Sequence, residues 1–380
     1  MRDAYIVDGL RTPFGRRQGG LSGIRPDDLA ALTLRGLVER TGINPALVED
    51  VRLGCVTQVG EQGFNIGRLA PLIAGFPVEV PGVAINRMCA SSLEAVNQAA
   101  QAIRADVHDV VIAAGVESMS RVPMGSDGST FSQELLNRFQ IVPQGISAEL
   151  IAEKWELSRE ELDAYSLTSH QRAIEAQQAG YFDREILPVT VQTPDGETRR
   201  LTTDEGPRPD TSMEKLAQLR PAFKPDGRVT AGNSSQITDG AAALLLASEE
   251  ALVRHQWTPR GRIVAMTVVG VDPVIMLTGP IPATAKVLQK AGLTLEQMDV
   301  IEINEAFASV VLAWGKEYRP DWTKVNPHGG AIALGHPLGA SGARLVLTAL
   351  NHLEQTHGRY GLITMCIGWG MAVATIIERL

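Results

Sequence analysis

The chain has 380 residues, of which 44% are hydrophobic and 21% charged, and a formal net charge of −8. That length exceeds one ordinary core and fits two domains or a duplicated domain with an insertion, the composition weighs against disordered and membrane classes, and the acidic balance argues against a nucleic-acid partner. Three cysteines are too few for a secreted disulfide framework and point to a reducing compartment.

At the start, Met1 to Gly9 holds an apolar run broken by Asp8, too short for the hydrophobic region of a signal peptide. A strand is predicted at Val51–Val56, and Gly82-Val83-Ala84-Ile85-Asn86 then leads to Cys89. Leu93, Val96, Ala100 and Ile103 recur at spacings of three and four, which marks a helix, and Val110 to Gly115 is an apolar strand. From about Glu117 to Thr230 the pattern changes to polar, proline-rich loops with one clear helix, opened by the capping-box pair Ser158 and Glu161 and stopped near Gly180. Arg199, Arg200, Arg208, Lys215, Arg220 and Lys224 make this stretch basic on an acidic chain, a place where an anionic ligand could rest.

The last third repeats the first plan. Met298–Ile303 reads as a strand, Lys324-Val325-Asn326 precedes a glycine-rich loop with His336, Val346, Leu350 and Leu353 mark a helix, and Tyr360–Met365 is a strand. The expected fold class is α/β with two duplicated βαβ-type halves: residues 1–116, completed by about 230–255, then a loop domain inserted over 117–229, then 256–380. Such alternation implies right-handed crossovers, a mostly parallel sheet in each half, and functional groups at the carboxyl ends of strands, where Cys89, Asn304, His336 and Cys366 are expected. No stretch is long enough to span a bilayer, and Glu378-Arg379-Leu380 is not the Ser-Lys-Leu peroxisomal address, so cytoplasm is the default.

Three sharp turns carry the chemistry. Gly335-His336-Pro337-Leu338-Gly339-Ala340-Ser341-Gly342 sets an imidazole among glycines, Asn86-Arg87-Met88-Cys89-Ala90-Ser91-Ser92 sets a thiol before a helix, and Met365-Cys366-Ile367-Gly368-Trp369-Gly370 supplies a second thiol. A free thiol has a pKa of about 8.5, and a helix N-terminus and a nearby imidazole both favour its anion. A thiolate so activated attacks a carbonyl carbon and holds an acyl group as a thioester, while a second thiol moves protons. The bland alternatives are real: a lone cysteine is usually a small buried hydrophobe, the class in which Cys55 stays, and a turn histidine can simply bond nearby carbonyls. His328 is expected to pack or face solvent. No metal is expected, because the chain has no Cys-x-x-Cys or His-x-x-x-His pair, and the glycine loop lacks the Walker Gly-Lys-Ser/Thr ending.

With these residues in hand, the chain resembles the thiolase family over essentially its whole length. The resemblance rests on Asn86-Arg87-Met88-Cys89, Asn304-Glu305-Ala306-Phe307-Ala308, Gly329 to Gly342 with His336, and Cys366-Ile367-Gly368, with Arg11 to Gly15 and Thr230 to Ser235 as further segments. It implies the thiolase fold, two similar halves in a layered αβαβα arrangement under a loop domain. It also implies thiolytic cleavage of a 3-oxoacyl-CoA, or the reverse Claisen condensation, with coenzyme A as co-substrate and no permanently bound cofactor. Cys89 matches the nucleophile, Cys366 the second acid/base, His336 the base that activates Cys89, and Asn304 the residue that holds a water in the oxyanion hole for the enolate. The backbone amides of Cys89 and Gly368 match a second hole for the tetrahedral intermediate. Coenzyme A contacts carry over to Arg208, Ser212, Ala231, Ser235, Met276, Ala306 and Phe307. Homodimers or homotetramers are the family rule, and a partner from a multienzyme β-oxidation complex fits the same resemblance.

Departures from the family pattern are Ser92, where many members carry glycine, Trp369-Gly370-Met371 after the second thiol, and Pro143-Gln144, where acetoacetyl-CoA-forming members place a histidine-methionine pair. They lean toward degradative 3-ketoacyl-CoA thiolases, including those that handle bulky or steroid-type chains and release acetyl-CoA or propionyl-CoA. The alternatives are a biosynthetic acetyl-CoA acetyltransferase, a non-catalytic acyl-CoA-binding relative, and a decarboxylating ketoacyl synthase, against which Cys366 counts.

Overall fold

Apolar residues alternate along the strands and recur on one side of each major helix, so every layer has a face that must be covered. The computed structural model describes residues 2–192 and 196–380. The N-terminal part supplies β1 (Tyr5–Arg11), β2 (Gly15–Arg16), α1 (Pro26–Thr41), β3 (Asp50–Gly54), α2 (Ile66–Ala74), β4 (Gly82–Ile85), α3 (Ser91–Arg104) and β5 (Val110–Ser118). The inserted region supplies α4 (Gln133–Arg138), α5 (Gln144–Lys154), α6 (Arg159–Gln178), β6 (Val189–Gln192), β7 (Thr198–Leu201) and α7 (Met213–Ala217). The remainder supplies β8 (Thr238–Ala247), α8 (Glu249–His255), β9 (Gly261–Gly270), α9 (Pro280–Ala291), β10 (Val300–Ile303), α10 (Ala308–Tyr318), α11 (Ala331–Leu334), α12 (Ser341–Thr356), β11 (Tyr360–Ile367) and β12 (Met371–Arg379).

The strands run in the order β10-β11-β12-β9-β1-β8-β5-β3-β4, with β2 also pairing β8. Within the sheet the two halves join where β1 pairs β9, Tyr5 with Arg262 and Ile6 with Gly261. On one face of the N-terminal half, Val51, Leu53, Ile112, Ala114 and Leu245 pack with Leu29, Leu34 and Leu37 of α1 and Ile66 of α2. The opposite face, through Val111, Ala113 and Leu244, shares a core with α3, α12 and Ile363, Met365, Val373 and Ile377 of the C-terminal half. The outer face of that half, through Ile301, Ile303, Leu362 and Ala374, packs on Val287 of α9 and Trp314 of α10. The result is helix, sheet, helix, sheet, helix, with α3 and α12 as the shared middle layer.

Ser92, the odd residue after the first thiol, belongs to that middle layer: its Oγ accepts from the backbone N–H of Ala343 at 2.9 Å. That N–H lies in the first turn of α12 and has no partner within its own helix.

Two expectations are corrected. The halves are not mostly parallel: β3 pairs β4 and β5 in parallel and β10 pairs β11 in parallel, but β8, β9 and β12 run antiparallel to their neighbours. The cause is local, since β11 turns into β12 through Gly368, Trp369 and Gly370 alone, too short for a crossover. The inserted region is also more ordered than loops around one helix. The capping box at Ser158 and Glu161 forms as expected, but α4, α5, α7 and the β6–β7 hairpin accompany α6. Ala148, Ile151 and Ala152 of α5 and Leu162 of α6 share a core with Met276, Phe307 and Val310. β5 itself continues to Ser118.

A buried ion cluster ties the insertion to the sheet. Arg11, with no exposed surface, bonds Glu185 at 2.7 Å and Asp204 at 2.6 Å. Losing one partner would leave an uncompensated buried charge, a change that typically costs about 3–5 kcal/mol.

Candidate active site

The turn after β4 is built to hold Cys89 still. Asn86 Oδ1 accepts from Met88 N at 2.8 Å, and Asn86 Nδ2 donates to Val56 O at 3.0 Å. Met88 sits at φ +46°, an uncommon left-handed position for a side chain of this size. Ser91 Oγ accepts from Arg87 N at 2.9 Å and donates to Met88 O at 2.6 Å. Cys89 therefore arrives one residue before the N-cap Ala90 of α3, where the helix dipole favours an anion. Only 5% of Cys89 is exposed. Burial pushes its thiol up to about 11, while hydrogen bonds from the backbone N–H of Gly368, its own N–H and the Gln144 side chain pull the other way.

Cys366, the penultimate residue of β11, has no exposed surface. Burial, and then the charge of the nearby Cys89, raise its thiol well above the ordinary range. Asn304 directly follows β10, its N–H donating to Thr364 O at 3.0 Å, which sets it beside the end of β11. Its Nδ2 lies 3.3 Å from His336 Nε2, and its Oδ1, though buried, has no hydrogen-bond partner among the described residues.

His336 follows the one-turn helix α11 rather than a strand, which corrects the expected strand-end position. Its backbone N–H donates to Gln236 O at 3.1 Å. Gly335 before it has φ +100°, and a Cβ there would stand 2.2 Å from Thr238 Cγ2. Three residues on, a Cβ at Gly339 would fall 2.2 Å from Val116 O. Only glycine lets the loop approach β5 and β8 so closely.

The ring's proton can be placed from its surroundings. Ser341 Oγ donates to Pro337 O at 2.9 Å, so its lone pairs face His336 Nδ1 at 2.6 Å. Nδ1 therefore carries the hydrogen, and Nε2 presents a bare lone pair beside Asn304. Burial, with help from Arg344, lowers the imidazole's pKa to about 3 and keeps it neutral.

Beneath the loop, Glu117 accepts from Val56 N, Thr57 N, Gln62 Nε2 and Gly339 N at 2.7–3.0 Å. One buried carboxylate thus couples the histidine loop to the segment after β3. Glu117 and Gln144 carry no catalytic expectation from the sequence, where Gln144 stands only as a departure at the place of the histidine-methionine pair, and Ser341 lies inside the glycine motif without a role of its own.

Cys89, Gly368 and Phe307 line a cavity of about 690 Å³ whose apolar wall includes Met124, Phe131 and Trp369. Trp369 packs edge-on against Phe131, ring centroids 5.0 Å apart. A separate cleft of about 210 Å³ is lined by His170, Arg208, Lys215 and Ala231. The remaining residues expected at coenzyme A scatter around these two spaces. Ser212 caps α7, accepting from Lys215 N at 3.3 Å. Ser235 N donates to Ala306 O at 2.9 Å, joining two of them. Met276 has no exposed surface, and its sulfur accepts from Trp369 N at 3.3 Å. Of the basic stretch, Arg199, Lys215 and Lys224 are paired with Glu205, Asp210 and Glu153.

Cys55 is fully buried in the N-terminal core. His328 packs between Tyr181 and Phe182, its Nε2 2.9 Å from His352 Nδ1. Among the described residues no helix is long and apolar enough to cross a membrane.

Comparison with known proteins identifies the family and the fold. The thiolase N-terminal domain matches residues 4–250 and the thiolase C-terminal domain residues 257–379. A steroid 3-ketoacyl-CoA thiolase of Mycobacterium tuberculosis is 52% identical over 393 residues, covering 100% of this chain and 95% of its own. A beta-ketoadipyl-CoA thiolase of Acinetobacter baylyi is 49% identical over 400 residues, with 100% of both covered. The crystal structure of an acetyl-CoA acetyltransferase from Bacillus anthracis superposes with a TM-score of 0.92 at 39% identity, over 100% of this chain and 99% of that one.

Proposed function

The chain belongs to the thiolase family, and from that premise we propose that it is a degradative 3-ketoacyl-CoA thiolase, an acyltransferase that uses coenzyme A to cleave a 3-oxoacyl-CoA. The products are acetyl-CoA, or propionyl-CoA from a branched chain, and a shortened acyl-CoA. The observation that carries this reading is the proximity of two buried thiols, Cys366 at the end of β11 and Cys89 at the start of α3, together with Asn304, which bonds Thr364 near the end of β11 and lies 3.3 Å from His336 Nε2. The 52% and 49% identical relatives, named for 3-ketoacyl-CoA and beta-ketoadipyl-CoA thiolysis, point the same way.

The steps follow from the positions. Cys89 gives its proton to His336 Nε2 and attacks the 3-oxo carbon. The N–H groups of Cys89 and Gly368 stabilise the resulting oxyanion, a contribution of about 3 kcal/mol per fixed donor. The C2–C3 bond then breaks, the enolate oxygen is held by Asn304 and His336, and Cys366 protonates C2 to release acetyl-CoA. Coenzyme A passes its thiol proton to the Cys366 thiolate and attacks the acyl group on Cys89. Cys89 leaves and recovers its proton from His336, so every group returns to its starting state.

Both the 690 Å³ cavity and its apolar lining favour an acyl chain longer or bulkier than acetyl, including steroid-type chains. That separates this reading from condensation to acetoacetyl-CoA, which needs room for acetyl alone. Arg208 and Lys215 at the smaller cleft suit the phosphates of coenzyme A, with Ser212, Ala231, Ser235, Met276, Ala306 and Phe307 as the further contacts. Strand β4 ends the sheet, and Phe64 and Val78 expose 92% and 69% of their surface nearby, which supports a homo-oligomer; the cytoplasm suits its free thiols.

The test is CoA-dependent loss of 3-oxoacyl-CoA across short, medium and bulky acyl chains. Turnover rising with chain bulk is expected. No turnover of any of them would overturn the reading, and a preference for acetoacetyl-CoA would transfer it to the biosynthetic reaction.

A further inference from the structure

We propose that Gln144 is a catalytic residue: its side-chain amide is a third N–H donor on the Cys89 sulfur and, once the substrate carbonyl is attacked, on the oxyanion beside it. The proposal rests on the reading of Cys89 as nucleophile and extends the hole beyond its two backbone donors. Three observations place Gln144 there. It lines the same cavity as Cys89 and Gly368. It acts on the Cys89 thiol in the same direction as the backbone N–H of Gly368, favouring the anion. A Cβ built on Gly368 would stand 2.8 Å from Gln144 Nε2, so the amide nitrogen rests directly against the residue that supplies the second donor.

The local fold explains why it can be fixed there. Gln144 is the first residue of the 11-residue helix α5, after an extended Pro143 that makes no side-chain cap. Its backbone is therefore set by the helix, while its side chain is free of capping duty and turns to the thiol. Helix α3 begins two residues after Cys89 and helix α5 begins with Gln144, so both start near this sulfur at the ends where a helix dipole is positive. An amide does not titrate, so unlike an imidazole it offers the same donor at every pH at which the protein is folded. Around a buried thiolate such a charge-assisted donor is roughly twice as strong as a neutral one. As the tetrahedral intermediate forms, the charge moves from sulfur to the neighbouring oxygen, and the three donors need turn only slightly to follow it. No bond to Gln144 forms or breaks.

Two isosteric variants separate this role from packing: Gln144→Met removes the donors, and Gln144→Glu replaces them with acceptors. The measurements are kcat and KM for thiolysis of a 3-oxoacyl-CoA, and the pH dependence of Cys89 alkylation by iodoacetamide, located by peptide mass. Both variants should lower kcat by about 10²-fold, as for loss of a comparable oxyanion-hole donor, with KM changed far less. Both should displace the alkylation profile to higher pH, Gln144→Glu further than Gln144→Met. A merely structural residue would not move that profile. Wild-type-like kcat, within two-fold, and an unmoved profile in whichever variant folds would overturn the proposal alone. Failure of wild-type Cys89 to be acylated by 3-oxoacyl-CoA would overturn the nucleophile reading, and the proposal with it.

Discussion

Replacing Ser341 by alanine should silence the base without touching any substrate contact. In the native arrangement Ser341 Oγ is spoken for as a donor to Pro337 O, so it can only accept from His336 Nδ1, 2.6 Å away. Without it, the Nδ1 hydrogen sits unpartnered in a ring that is 3% exposed, at a cost of about 1–3 kcal/mol. A cheaper state is at hand: the hydrogen moves to Nε2, and the Asn304 amide turns its unpartnered Oδ1 to accept it. That tautomer cannot take a proton from Cys89. At 1.36 kcal/mol per factor of ten, the active tautomer falls to between about a fifth and about one part in 160, and kcat with it, while KM hardly changes. Steady-state thiolysis by Ser341→Ala, checked against Ser341→Thr, which keeps the acceptor, measures this. Wild-type kcat in Ser341→Ala would refute the tautomer argument.

Three further outcomes are expected. Cys366→Ala should still accept an acyl group on Cys89 from a saturated acyl-CoA, yet lose condensation; wild-type condensation, followed by product formation, would remove Cys366 from its role. Trp369→Gly should lower stability, because relief of φ +66°, worth about 1–2 kcal/mol, offsets only part of losing a side chain that is 39% exposed and its Phe131 contact, worth about 0.5–1.5 kcal/mol beyond the area it buries; its acyl preference should move to bulkier chains, read from a substrate-length profile, and an unchanged profile would mean that the cavity wall does not set the preference. Acid should unfold the protein steeply. Burial lowers His336 to about 3 and His170 and His328 to about 4, so the unfolded chain, with histidines near 6.5, binds about three more protons between those limits. Glu302, raised by burial to about 8, works in the opposite direction, leaving about two net protons and a stability that falls as pH drops below 6.5. Urea midpoints that stay flat from pH 6.5 to 4.5 would contradict it.

The residues proposed as reactive stand out in the chain because each stands in a turn whose composition has few structural explanations. Cys89 precedes a helical pattern, His336 lies among glycines, and Cys366 ends an apolar strand. Their partners could not, because contact between them is made by the fold. Glu117 is the penultimate residue of β5 and is separated by more than 200 residues from Gly339, whose N–H it accepts. Gln144 opens α5, which escaped notice because Pro143 gives it no capping side chain. Helices α4 and α7 have serine caps, Ser132 and Ser212, but only six and five residues, too few to show a helical period. In the sequence Trp369 stands only as a departure from the family pattern after the second thiol. It is also the left-handed centre of the β11–β12 turn, a place where a bulky side chain is a poor guide and glycine would have announced the hairpin. The mixed sheet followed from that missed turn.

The central claim is that Cys89 carries the acyl group between two molecules of coenzyme A. Intact-mass and peptide-mass measurement after brief incubation with a 3-oxoacyl-CoA, then with free coenzyme A, tests it directly. An acyl adduct on the Cys89 peptide that is discharged by coenzyme A is the result expected. A protein that turns over substrate with no adduct there, or with the acyl group on Cys366, would contradict it.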